Sequence, residues 1–142
     1  MASVEISGMG ETILSMEQVA ELSGTGVLDE MLEAEAEIVA KQQQSTARSM
    51  GVVDTGETAR SVTSSSPKEG EDGRECYVYF SGSRTRFGTT TRNSEIAFIN
   101  EYGKTGQAAR PFVQTANAKA ESRAVQAAED VYDSYLRSQG LI

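Results

Sequence analysis

The chain has 142 residues, 38% of them hydrophobic and 6% aromatic, and carries a net charge of −8. That length suits one compact domain (1–142) with one core, built from Ala, Val, Ile, Leu and Met because aromatics are sparse. The acidic balance excludes a protein that coats nucleic acid non-specifically, since phosphate affinity needs clustered Lys and Arg.

Residue types narrow the chemistry further. Histidine is absent and Cys76 is the lone cysteine. The usual general base, the commonest metal ligand and an intrachain disulfide are therefore missing, and the expectation is no catalytic site, no metal and no cofactor. No apolar run approaches the ~20 residues of a membrane span, so no membrane partner is expected. The opening "MASVEISGMG" lacks the basic and apolar regions of a signal peptide.

In chain order, the N-terminal part (1–24) opens with an alternating "VEIS", Val4 and Ile6 sharing a strand face. Ile13, Met16 and Ala20 then recur at helical spacing over 11–22, with a stop at Ser23-Gly24. A long helix is expected over 25–51: Leu28, Met31, Leu32, Ile38 and Val39 form its stripe, Thr25 can cap its start and Gly51 suits its end. Asp29, Glu30, Glu33, Glu35 and Glu37 crowd its early turns, where they suit the helix dipole and read as a solvated face.

Residues 52–103 read as a β-sheet with loops. "ARSVTSSS" is a strand with Val62 inward, "PKEGEDG" a charged turn-rich loop, and "RECYVYFSG" a strand with Cys76, Val78 and Phe80 on one face and Tyr77 and Tyr79 on the other. "SRTRFGTTTRN" is a polar loop or hairpin tip with Arg84, Arg86 and Arg92 around Phe87, and "SEIAFINEYG" a further strand. Both apolar strands are hydrophobic on two faces; helices can cover one, and more of the same chain or, more simply, a neighbouring subunit can cover the other. A last helix spans 110–140: Pro111 opens it, Val125, Ala128, Tyr132, Tyr135 and Leu136 recur along it, and Gly140 ends it. Its first half packs closely through alanines or lies exposed. The fold class is α+β, a small antiparallel sheet packed against the two long helices.

"VVDTG" (52–56) resembles the loop with which retroviral-type aspartic proteases present a catalytic carboxylate. Against that, Glu57 follows where those proteases place a small buried residue, no later apolar pair leads into a glycine, and the helical content is wrong for a nearly all-β fold. The competing reading is a structural turn: Asp54 and Thr55 bond the backbone locally and Gly56 takes a positive φ. "GKT" (103–105) fails as a phosphate loop because Phe98 stands where the pattern needs glycine. The three arginines also admit a small DNA-binding accessory protein.

Three segments, "VDTGETARSV" (53–62), "IAFINEYG" (96–103) and "ARPFVQTA" (109–116), occur in one order with an opening like "VEISGMGETI". In that order the chain resembles the neck proteins (head–tail joining, tail completion) of long-tailed bacteriophages and phage-like particles. The resemblance implies a non-enzymatic virion component, assembled in the bacterial cytoplasm as a homo-oligomeric ring. A six-fold ring matches the tail and a twelve-fold ring would match the portal. It implies head-closure or connector proteins and tail-terminator or tail-tube proteins as partners, with DNA passing through the lumen unread. A tail-terminator or collar ring of a contractile tail is the near alternative, and an Asp54 aspartic protease the alternative of another class. Subunit-interface candidates are Phe112, Arg110, Tyr102, Tyr77 and Tyr79. Arg84, Arg86 and Arg92 complete that set; Phe112 is read equally as a staple inside its own subunit.

Overall fold

A computed structural model describes residues 26–52, 56–71 and 73–140. The expected strand at 4–6 and short helix at 11–22 lie outside the described residues. The fold is α+β. Along the chain, two long helices, α1 (Val27–Ser49) and α4 (Phe112–Ser138), come before and after two shorter helices, α2 (Glu57–Arg60) and α3 (Asn93–Tyr102), and short strands. Those strands are β1 (Val62–Ser64), β2 (Lys68–Gly70), β3 (Gly73–Glu75), β4 (Val78–Phe80), β5 (Ser83–Arg86) and β6 (Thr89–Arg92).

The expected single sheet is instead three separate antiparallel pairs, β1–β4, β2–β3 and β5–β6. The physical reason lies in the connections. Gly70–Gly73 and Arg86–Thr89 are close enough in sequence to fold back on themselves as hairpins, so only β1 and β4 pair across a longer connection, with Val62 opposite Phe80. The loop expected at 67–73 is therefore a hairpin. The strand expected at 74–82 breaks at Cys76-Tyr77 into β3 and β4.

The strand expected at 94–103 is the helix α3, a correction that a four-residue apolar run invites because periodicity alone cannot decide it. Asn93 and Ala97, one turn apart, are its buried positions, whereas Phe98 is 63% exposed. The supposed two-sided apolar strands thus resolve within the chain. One is a helix, and in the other Phe80 turns toward the core while Tyr77 and Tyr79 stand half exposed. The argument for a neighbouring subunit that rested on those strands does not hold in that form.

The described residues fall into two compact units. The first draws on residues up to Ile38, Ser65–Tyr77 and residues from Glu121 onward; the second comprises Val39–Ser64 and Val78–Ala120. Each has its own apolar cluster, where one core was expected. The stretch of α4 between them in sequence is buried through Ala116, Ala120 and Ala124, which add little side-chain volume to continue either cluster.

In the first unit Val27, Leu28 and Met31 of α1 pack with Ala128 and Tyr132 of α4. Val131, Tyr135 and Leu136 flank them. The α1 acids are not uniformly solvated. Arg74 of β3 grips Asp29 through two hydrogen bonds, Nε to Oδ1 at 2.8 Å and Nη2 to Oδ2 at 2.6 Å, and also donates to the Pro67 carbonyl at 3.2 Å. Glu35 is partly buried, which pushes its carboxyl above the usual range. Burial, and then the carboxylates of Glu35, Glu33 and Asp29, push the Cys76 thiol up as well, so it stays protonated at neutral pH; its Sγ points to the Leu32 carbonyl at 3.6 Å.

In the second unit Phe112 is fully buried among Ala47, Val52, Ala59 and Ala97. Phe80 meets its ring edge-on at a centroid distance of 5.7 Å. Four of these neighbours come from different parts of the chain, so one large ring ties α1, α2, α3 and α4 together. This also corrects the expectation of Phe112 as an anchor on a neighbour: a side chain with no exposed surface has nothing left to offer a partner.

Backbone chemistry fixes the helix ends around this core. Val52 N–H donates to the Ala47 carbonyl at 2.8 Å and Gly51 N–H to the Arg48 carbonyl at 3.2 Å, with Gly51 at φ +78°. That is a Schellman closure, with buried Val52 packed over Ala47. At the other end, α4 has no cap of its own sequence. Glu101 of α3 supplies it: its carboxylate accepts the Val113 N–H at 2.7 Å and the Gln114 N–H at 3.0 Å, placing negative charge on the helix N-terminus.

Two outcomes follow. Phe112→Ala should cost about 3–5 kcal/mol in urea denaturation, the scale of an unfilled aromatic site; a loss below about 1 kcal/mol would show that the ring is not the tie described. Glu35→Gln should raise the melting temperature at neutral pH. The folded carboxyl binds its proton more tightly than the unfolded one, so the cost of the charge is present at pH well above the ordinary value of 4.5 and fades as pH falls below it. The gain from Gln should shrink in the same direction.

Candidate functional site: a basic cleft in the second unit

The cleft is assembled by four local structures. The Schellman turn after α1 presents Gly51 and Val52, α2 presents Thr58, β5 presents Arg84, and the end of α3 with the following turn presents Asn100, Lys104, Gln107 and Arg110. Ile96 and Ile99 give it an apolar side, and its volume is about 360 Å³.

Its shape rests on Gly103. After α3 the chain reverses through a tight turn in which Lys104 and Gln107 exchange two backbone hydrogen bonds, at 3.0 and 2.9 Å. It then returns so that Arg110 N–H reaches the Asn100 carbonyl at 2.6 Å. Gly103 sits at φ +77°, ψ 176°, a region essentially reserved for glycine. A Cβ there would lie 2.9 Å from both the Ala109 nitrogen and the Gln107 oxygen.

Three cations line the cleft. Arg110 Nη1 donates to the Gly51 carbonyl at 2.8 Å, tying the α1 closure to the start of α4. The Arg84 side chain is 14% exposed and faces the Glu57 carboxylate at a long 3.9 Å. Lys104 is exposed on the turn. The Asn100 amide donates to the Ile96 carbonyl at 2.9 Å and the Gln107 amide to Asn100 Oδ1 at 3.5 Å, so the three cations are what suit the lining to a carboxylate or another anionic group; no nucleophile paired with a base lies among the described lining residues.

Of the interface candidates, Arg84 and Arg110 thus meet in the cleft. Arg92 is on the exposed β6 and holds Glu95 at 2.8 Å, and Arg86 is exposed on β5. Tyr102 is 69% exposed and tilts against Phe98, with centroids 4.7 Å apart. Tyr77 donates its hydroxyl to Glu75 at 2.8 Å and Lys68 sits over its ring, whereas Tyr79 stands half exposed on β4. Asp54 and Thr55 lie outside the described residues. Gly56 has φ +76° and begins α2, so the turn leads into a short helix before β1. Among the described residues no group of three metal-ligating side chains comes together.

Sequence reading missed Lys104, Gln107, Asn100 and Thr58 as cleft residues, and the buried polar Gln43 and Thr46 of α1. No short motif joins them; the one available signal was Gly103, whose place after "NEY" marks a forced reversal. Compared with models of known protein families, with curated proteins and with solved structures, the chain matches none. No helix among the described residues is long and apolar enough to cross a membrane.

Gly103→Ala should destabilise the protein by about 1–3 kcal/mol from backbone strain alone, and more from crowding. Gly106→Ala, at φ +82° with open space around the new methyl, should cost less. Equal losses in urea titrations would contradict the close approach at Gly103.

Proposed function

We propose that the chain is a structural subunit of a homo-oligomeric ring at the head–tail junction of a tailed phage or phage-like particle. The observation that carries this reading is the meeting of the three resembling segments in one core: Ala59, Ala97 and Phe112 come one from each and pack together. That the three segments share one core agrees with reading them as one pattern.

Two further features agree with the reading. Large aromatic side chains stand outside the core, among them Phe98, Tyr102 and Phe87, and exposed aromatics mark contact surfaces. A net charge of −8 suits a lumen along which a DNA backbone slides without sticking. The basic cleft is then the docking point for an acidic side chain of the layer above or below, whether head-closure protein or tail terminator.

Native mass spectrometry of the purified chain is the direct test. A species at six times 15.2 kDa is expected, and twelve copies would fit a portal-matched ring. Single copies at all accessible concentrations would contradict the proposal.

A further inference from the structure

The β5–β6 hairpin closes through Phe87 and Gly88, both at positive φ (+50° and +78°), between the paired residues Arg86 and Thr89. That is a type I′ loop, whose first position favours Asn, Asp or Gly. Phe87 is the one non-glycine with positive φ among the described residues, and its side chain is fully exposed, at 102%. An aromatic residue here satisfies neither the backbone nor the core of its own chain. Strain of this kind, held at a loop tip, points outward to a binding role.

The first unit carries a matching hollow. A surface cleft of about 830 Å³ is lined by the half-buried Val131 and Tyr135 and the buried Val27, while Glu30, Asp130 and three further polar side chains make the rest of it polar. The hairpin tip offers the complement: Phe87 for the apolar lining and the adjacent exposed Arg86 for the carboxylates. We infer that the Phe87 tip of one copy inserts into the Val27–Tyr135 cleft of a second copy. Knob and hollow are different surfaces, so the contact is heterologous, the kind that closes rings or propagates fibres. Copies that each carry −8 repel one another, and opposite charges at this one contact would fix which surfaces meet. The inference rests on the self-assembly in the reading above, not on the phage setting.

Phe87→Asn and Phe87→Gly fit the loop backbone and are expected to keep or raise the melting temperature. In sedimentation velocity both should weaken self-association by about 30-fold or more, the scale of an interface hot spot. Arg86→Glu should weaken it too, and Glu30→Arg in the same chain should restore much of the loss. Assembly of both Phe87 variants like the parent chain would overturn this contact while leaving the ring reading intact, and so would a failure of the charge exchange to restore association. A parent chain that never assembles would overturn both. Salt-sensitive duplex DNA binding lost in Phe87→Asn, without any oligomer, would reassign the tip to nucleic acid and also overturn the contact.

Discussion

The Phe112 ring is the contact on which the second unit depends. Its neighbours Ala47, Val52, Ala59 and Ala97 are small, and none could hold its own helix in place. An aromatic side chain buries roughly 150–250 Å² and so dominates a core whose other buried members are three alanines and Val52, with Phe80 at its edge. The small partners in turn let α1, α2 and α3 approach the ring closely. The same division of labour continues along α4, where Ala116, Ala120 and Ala124 are buried at four-residue intervals. Four residues overshoot a helical turn by roughly 40°, so such a stripe winds slowly around the helix.

Around that ring the backbone polar groups are satisfied by residues distant in sequence. Glu101 caps α4, Arg110 takes the carbonyl that the α1 closure leaves at Gly51, and Gly103 makes the reversal that brings both within reach. The basic cleft is a consequence of this arrangement: the chain passes the same place at 51, 84, 100 and 104–110, and two of those passes carry its three cations. Fold and candidate site therefore share their supports, and a change at Gly103 is felt by both.

The long helices were legible because period and punctuation agree. Leu28 and Met31 repeat at helical spacing before Gly51, and Ala128, Tyr132 and Tyr135 before Gly140. The 93–102 segment was not, since four apolar residues in a row fit a strand as well as a helix whose faces are partly covered. The β5–β6 hairpin left little hydrophobic trace, its strands being Ser, Thr and Arg with mostly exposed side chains. The Arg74–Asp29 grip joins positions 45 apart, and the cleft gathers residues from 51 to 110, so neither leaves a local motif. Phe112 shows the limit from the other side: its Pro-Phe setting announced an anchor, and only the packing around it decided that the anchor faces inward.

What remains outward among the described residues includes large aromatic side chains that the core does not use: the Phe87 tip and the Phe98–Tyr102 pair. In the proposed ring each of them would meet a neighbour. Electron microscopy of the purified, concentrated protein tests that account most directly. It predicts closed rings around an open channel, with one symmetry across the class averages; fields of isolated single copies, or open filaments alone, would contradict it.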